Sequence, residues 1–172
     1  MLNLLQVKST KRTNNMTNIA VFVDVQNIYY TTRDTYGRAF NYREFWKKIS
    51  RQGEIIYAYA YATHRNDDKQ IKFQDALRHI GFTIKLKPYI QRSDGSAKGD
   101  WDVGITIDVL ESAKDVDTVI LLSGDGDFDM LLNKITTDYN TSAEVYGVPA
   151  LTANSLINAA SVFHPIGDDL LM

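Results

Sequence analysis

The sequence predicts an α/β protein in which a central, mainly parallel β-sheet is covered by helices on both faces, as a three-layer sandwich. Two observations predict this class. Short apolar runs alternate along the chain with segments whose apolar residues recur at helical spacing, and the connections between them are short. The chain has 172 residues, 44% of them hydrophobic, which suits one globular domain with a sizeable core.

Five strands are predicted from short apolar runs, at 19–25, 54–62, 82–88, 118–123 and 142–148. Five helices are predicted between and after them, at 42–52, 67–81, 102–113, 127–137 and within 152–161. Residues 91–100 read as a polar loop. Because helical connections make successive strands parallel, the strands should end at one common edge.

The ends of the chain and its composition exclude several classes of protein. Residues 1–17 are polar and contain no acid, so we expect a flexible tail followed by one domain over 18–172. There is no cysteine, which excludes disulfides and zinc–thiolate sites, and the three histidines are widely separated. No run is long and apolar enough for a membrane span, and no secretory signal is visible. We therefore expect a soluble, cytoplasmic protein without membrane contacts.

The charges are distributed unevenly along the chain. Residues 1–98 hold 17 Lys and Arg against 8 Asp and Glu, whereas residues 99–172 hold 2 against 13. This asymmetry is typical of an acidic centre beside a basic surface, although it could also average out over a solvated exterior.

Acidic residues follow the predicted strands at the edge where functional groups gather. Asp24 closes the first strand, with Asn27 three residues later, and Asp125 and Asp127 follow the fourth strand. Asp102 begins the apolar helix. Each acid after a strand could simply cap a helix or a turn, but Asp24, between Val23 and Val25, needs a partner for its charge.

Carboxylates that converge on one site repel one another. At about 4 Å the repulsion is on the order of 4 kcal/mol at an effective dielectric constant near 20, so such a cluster binds protons or a cation. Oxygen ligands favour Mg²⁺ or Mn²⁺. A cation of this kind can activate water for attack on phosphorus, as in metal-dependent nucleases.

Three segments together resemble a known family. VFVDVQN, KGDWDVGITIDVL and LLSGDGDFDMLL occur in this order, about 75 and 25 residues apart, and are similar to the NYN domain proteins of the LabA-like (DUF88) group in the PIN-like nuclease superfamily. The similarity runs from about Ile19 to the C-terminus. The resemblance implies a PIN-like, Rossmann-like topology and a ribonuclease site in which acids hold Mg²⁺ or Mn²⁺.

The resemblance also implies which residues form the site. The catalytic and metal-binding acids would be Asp24, Asp102, Asp125 and Asp127, and the substrate-binding residues would be Asn27, Ser123 and Lys98. Asp108 also fits the family pattern but ranks lower, because six residues along a helix rotate its side chain by about 240° from Asp102. Asp100 competes with Asp102, since the spacer after Gly99 is longer than is common in the family.

The main functional hypothesis is hydrolysis of RNA, with single-stranded RNA as the partner and a homodimer compatible with the sequence. Lys85, Lys87, Arg92 and Lys98 could guide the polyanion, or could protect a strand edge. Trp101 is the aromatic residue best placed for base stacking, whereas Tyr57, Tyr59 and Tyr61 fit better beneath a helix. The alternatives are a non-catalytic RNA-binding or regulatory module and, third, a metal-dependent phosphatase.

Overall fold

The computed structural model describes residues 16–64, 67–88, 90–91, 93, 97–98 and 100–172, with only the backbone for 90, 91, 97 and 98. The predicted tail lies outside the described residues, except for Met16 and Thr17, and Thr17 is already in the first strand. The strands of the main sheet are β1 (Thr17–Asp24), β2 (Gly53–His64), β3 (Thr83–Pro88), β6 (Thr118–Leu122), β7 (Ser142–Gly147) and β8 (Val162–Pro165).

The helices are α1 (Val25–Tyr36), α2 (Tyr42–Ser50), α3 (Asp68–Ile80), α4 (Asp102–Ala113), α5 (Asp129–Asp138) and α6 (Asn154–Ala159). Two short strands, β4 (Ile90–Gln91) and β5 (Ala97–Lys98), pair antiparallel within the predicted polar loop.

All six strands of the main sheet are parallel, in the order β3-β2-β1-β6-β7-β8. Alternate residues of β1 enter two separate cores. Ile19, Val21 and Val23 pack with α1, α2 and α3 on one face, and Ala20 and Phe22 pack with α4, α5 and α6 on the other. The predicted three-layer α/β sandwich is therefore confirmed.

Local signals at the helix ends explain the boundaries of α2 and α3. The side chain of Asn41 accepts a hydrogen bond from the Glu44 amide at the start of α2, and Asp67 caps α3 in the same way. Gly81 ends α3 with a positive φ of 137°, which a residue with a side chain rarely adopts.

Helix α1 and strand β8 are not predicted from the sequence. The α1 segment is rich in β-branched and aromatic residues, which have modest helix propensity. Its helix forms because Ile28 and Thr32 are buried against the sheet, Asp24 caps its first turn and Gly37 ends it in the left-handed conformation. Strand β8 has only four residues and two exposed ends, so its apolar pattern is weak.

Candidate active site

The candidate site lies where the strand order reverses. From β1 the chain first builds the β2–β3 side of the sheet, then crosses back to β6 on the other side of β1. The loops that leave the carboxyl ends of β1 and β6 therefore diverge around a crevice, the usual ligand-binding position in such sheets. Asp24 ends β1, and Ser123 to Asp127 follow β6.

Asp24 is joined directly to the loop after β6. Ser123 Oγ donates a hydrogen bond of 3.1 Å to Asp24 Oδ2, and the Asn27 amide lies 3.5 Å from Asp24 Oδ1. Burial raises the pKa of Asp24 to about 6, although these two hydrogen bonds oppose the shift and the negative charges of Asp125 and Asp100 add to it. The two strand-end segments thus meet as the sequence predicts.

Asn27 and Ser123 hold the two loops together. The Asn27 side-chain oxygen accepts a 2.9 Å hydrogen bond from the Gly124 amide, and Ser123 Oγ accepts one of 3.2 Å from the Asp125 amide. Ser123 is fully buried, whereas Asn27 lines the cavity at the site. The buried hydroxyl of Ser123 therefore positions both the carboxylate of Asp24 and the backbone of Asp125.

Asp102, Asp125 and Asp127 form a close group of carboxylates. One oxygen from each lies within 4.8 Å of the others. Asp127 lies in a single turn of 3-10 helix (Gly126–Phe128), and Asp125 caps this turn, since its Oδ1 accepts a 2.9 Å hydrogen bond from the Asp127 amide. Asp102, the first residue of α4, comes from a separate segment. Asp24 lines the adjoining cavity but is not one of these three.

The environment of Asp102 favours its protonated form in the absence of a cation. Burial is the largest cause that raises its pKa to about 8, followed by a hydrogen bond with Asp100 and the charge of Asp125. A divalent cation would remove this conflict, because three carboxylate oxygens at this spacing match the hard, oxygen-only donor set of Mg²⁺ or Mn²⁺. The residues present therefore fit such an ion.

Asp100 is an acid of the site that the sequence prediction ranked below Asp102. Its Oδ1 accepts a 2.6 Å hydrogen bond from the Asp102 amide, and its side chain lines the cavity with Asp24, Asp102 and Asp125. The spacing of the family motif does not separate Asp100 clearly from Asp102, and in the structure both side chains line the cavity. Asp100 caps the start of α4, and Asp102 joins the carboxylate group.

The cavity has a volume of about 260 Å³ and also contacts Gln26, Tyr30, Thr31 and Trp101. Of these, the sequence singled out only Trp101. Lys98, the predicted loop lysine, lies in β5, but its side chain is outside the described residues.

Asp108 points away from the carboxylate group, as the helical rotation predicts. Its Oδ2 accepts hydrogen bonds from the Tyr61 hydroxyl at 2.7 Å and from Lys85 Nζ at 2.5 Å. Lys85 is thus engaged in an ion pair, with 35% of its side chain exposed against 17% for Asp108.

The indole ring of Trp101 is held in place by a hydrogen bond and by aromatic packing. Its Nε1–H donates a 2.9 Å hydrogen bond to the Ala62 carbonyl, and its ring packs edge-on against Tyr61. Lys87 Nζ lies 4.4 Å from the centre of the indole ring and donates to the Asp100 carbonyl. The three tyrosines of β2 pack against the core beneath α4, as expected.

The glycines after β6 are required by packing. A Cβ at Gly124 would lie 2.5 Å from the Leu151 carbonyl oxygen, and one at Gly126 would lie 2.9 Å from the Ala153 Cβ. Both glycines therefore let the loop with Asp125 and Asp127 settle on the segment that precedes α6.

The model of the NYN domain family matches residues 18–167. The chain belongs to the NYN domain family. This match confirms the resemblance that the three motifs indicate, and the family implies a nuclease-like fold.

Two relatives extend this comparison. The low amplitude and bright protein LabA of Synechococcus elongatus is 27% identical over 158 residues, which make up 87% of this chain and 84% of LabA. A crystal structure of a Vibrio parahaemolyticus protein of unknown function is 52% identical, covers 94% of this chain and 99% of its own, and has a TM-score of 0.89. Among the described residues, no helix has the length and apolar character to cross a bilayer.

Proposed function

We propose that this NYN domain protein is a divalent-metal-dependent ribonuclease that hydrolyses phosphodiester bonds of single-stranded RNA. The observation that carries the proposal is the approach of Asp102, Asp125 and Asp127 to within 4.8 Å of one another, beside the buried Asp24. Membership of a family with a nuclease-like fold supports it. Carboxylates this close repel one another, and a bound cation would offset that repulsion.

The four acids would bind the metal ion in different ways, according to their positions. Asp102, Asp125 and Asp127 would hold Mg²⁺ or Mn²⁺ directly, and Asp24, which lies deeper, would bind it directly or through water. When bound, such an ion lowers the pKa of a water molecule and offsets the charge of the phosphate. Ser123 would keep Asp24 and Asp125 in place by its two hydrogen bonds.

The remaining predicted residues would contact the substrate. Asn27 lines the cavity, and its oxygen already accepts a hydrogen bond from Gly124, so its amide nitrogen is left to donate to a phosphate oxygen. Lys98 would contact the RNA backbone, in keeping with its match to the loop lysine of the family.

The direct test is cleavage of an end-labelled single-stranded RNA in Mg²⁺ or Mn²⁺ by the wild-type protein and by the double variant Asp125→Asn/Asp127→Asn. Asparagine keeps the acceptor for the Asp127 amide while it removes the charge. We expect a loss of activity of about 100-fold or more, as is usual when groups that stabilise a transition state are removed. The matched control is Asp115→Asn, an exposed acid outside the site, which should retain full activity.

Metal binding is measured separately, by thermal unfolding with and without Mn²⁺ after removal of metals by EDTA. Mn²⁺ should raise the Tm of the wild-type protein and of Asp115→Asn, because a ligand that binds only the folded state stabilises it, and should leave the double variant unchanged. Undiminished cleavage by the double variant would contradict the proposal. Binding of Mn²⁺ without cleavage would favour the non-catalytic alternative, and release of phosphate from a phosphomonoester alone would favour a phosphatase.

A further inference from the structure

A second, larger cavity adjoins the acidic one along α1. It has a volume of about 630 Å³, within the usual range of ligand sites, and lies between α1, the end of β2 and the start of α3. We call it the α1 groove and define it by Tyr29, Tyr30, Arg33, Lys69, Gln70 and Phe73. Gln26 and Tyr30 line both cavities, so the groove borders the acidic site.

Two neighbouring aromatic side chains are exposed along this groove. Tyr29 and Tyr30 are 51% and 49% exposed, and their ring centroids lie 5.3 Å apart in an edge-to-face arrangement. The guanidinium carbon of Arg33 lies 5.4 Å from the centre of the Tyr29 ring. Exposed tyrosines with an arginine beside them are a common platform for stacked bases, because every base has an aromatic face and the arginine can meet a phosphate.

Two of the three charged side chains that line the α1 groove, Arg33 and Lys69, are cationic, and the third, Asp67, accepts a hydrogen bond from the Lys69 amide as the cap of α3. The groove therefore has a small excess of positive charge, which suits a polyanion. Within the part of the chain that the structure describes, neither Arg33 nor Lys69 forms an ion pair with an acid. The opposite side of the acidic cavity differs, since Lys85 is paired with Asp108 and Lys87 donates to the Asp100 carbonyl. Gln26 and Gln70 add side-chain amides, which can donate to and accept from the edges of bases.

We propose that the α1 groove binds the nucleotides that flank the scissile phosphate of a single-stranded RNA, with bases stacked on Tyr29 and Tyr30 and the backbone near Arg33 and Lys69. This inference rests on the proposed ribonuclease function, which places the scissile phosphate in the acidic cavity. The RNA would then run from that cavity into the groove past Tyr30. The proposal assigns the platform for base stacking to α1 and gives Trp101 a structural role.

Binding is tested apart from cleavage. The affinity of a fluorescein-labelled octanucleotide RNA is measured by anisotropy in EDTA, so that no metal-dependent hydrolysis occurs. Tyr29→Ala/Tyr30→Ala should weaken binding about 10-fold or more, as expected from the loss of stacking on two aromatic rings. Tyr29→Phe/Tyr30→Phe keeps the rings and should remain within about two-fold of the wild-type affinity.

The control variant is Tyr139→Ala. Tyr139 also has a cation over its ring, Lys114 Nζ at 5.2 Å, but it follows α5 at the amino end of β7, away from the groove. Its affinity for RNA should be unchanged. Circular dichroism verifies that all variants are folded.

Cleavage kinetics give a second readout. In Mn²⁺, Tyr29→Ala/Tyr30→Ala should raise KM for the octanucleotide while kcat stays near the wild-type value. The single variant Tyr29→Ala, at a residue that lines the groove and not the acidic cavity, should have little effect on a dinucleotide that is too short to reach the groove. Binding that depends on the tyrosines, without any cleavage, would overturn the ribonuclease function alone. Cleavage with unchanged affinity in the alanine variant would overturn the groove alone.

Two further outcomes would also overturn the groove proposal. One is a wild-type protein that does not bind the octanucleotide. The other is a change in sedimentation of Tyr29→Ala/Tyr30→Ala without a change in RNA affinity, which would identify the groove as a contact between copies of the chain.

Discussion

The two flanks of the acidic cavity contain similar side chains but use them differently. One flank, which we call the closed flank, reaches the cavity through Trp101 and continues behind it as Tyr61, Lys85, Lys87 and Asp108. There the polar groups named above bond to other parts of the protein. On the open flank, the α1 groove, the two tyrosines are about half exposed. Positive charge near a site is therefore a poor guide to substrate binding until its partners are known, because a cation that is already paired with an acid is less available to a phosphate.

The largest expected effect comes from Asp108→Ala on the closed flank. The change leaves the Tyr61 hydroxyl and the partly buried Lys85 without their partner, which should lower the free energy of unfolding by about 2–3 kcal/mol. Urea unfolding followed by circular dichroism measures the loss. Arg33→Ala on the open flank is the comparison and should stay within about 0.5 kcal/mol of the wild-type protein. If Asp108→Ala and Arg33→Ala lowered the free energy of unfolding equally, the two flanks would not differ in how their charges are paired.

A smaller effect is expected from Tyr61→Phe, and it should depend on pH. Burial, followed by the hydrogen bond and charge of Asp108, raises the pKa of Tyr61 well above its ordinary value. The folded state thus favours the protonated phenol, so this contribution is fully present below about pH 10 and declines as the pH rises further.

At pH 8 the variant should be less stable by about 1 kcal/mol, the usual net value of one hydrogen bond. Urea unfolding at pH 8 and pH 11 should show this difference narrowing, because only the wild-type protein can lose the Tyr61 proton. Tyr42 and Tyr146, whose pKa values burial also raises, are common to both proteins and cancel in the comparison. A constant difference between pH 8 and pH 11 would contradict the buried, bonded state of this hydroxyl.

The smallest effect concerns the salt dependence of RNA binding on the open flank. If Arg33 and Lys69 each contact one phosphate, Arg33→Gln and Lys69→Gln should each reduce the slope of log affinity against log salt by about 0.7. Anisotropy titrations over a range of salt concentrations measure the slope. The control is Lys72→Gln. Lys72 lies about one turn after Lys69 on α3 and does not line the groove, so this variant should leave the slope unchanged. The same reduction in Lys72→Gln would indicate a diffuse charge effect without a defined path.

Much of the fold could be predicted from sequence because its signals are local. The buried strands β1 and β6 are short apolar runs, and α4 begins and ends at the predicted residues 102 and 113. Helix α1 could not be predicted in this way, since its stability comes from burial of Ile28 and Thr32 against the sheet. The residues of the open flank cannot be predicted for the same reason, because Tyr29, Tyr30 and Arg33 share a surface only once α1 is a helix.

The candidate site shows the same division. Strand ends and a family resemblance predict four acids, Asp24, Asp102, Asp125 and Asp127. The structure brings Asp102, Asp125 and Asp127 into one group, with Asp24 in the adjoining cavity. Their assignment as metal ligands and catalytic residues stays a prediction. The burial of Ser123 could not be predicted, because it depends on the loop before α6, which packs against Gly124.

By itself, the amino-acid sequence determined the alternation of strands and helices, the positions of the acids at strand ends and the membership of the NYN domain family. These features depend on residue type and spacing along the chain. Only the tertiary structure decided which charges meet. Asp24 and Ser123 are 99 residues apart and touch because β1 pairs with β6. Lys85 is paired with Asp108 because Lys85 lies opposite Tyr61 in the pairing of β3 with β2, and the Tyr61 hydroxyl donates to the same carboxylate. Contacts between distant segments follow from the order of strands in the sheet, which no local pattern records.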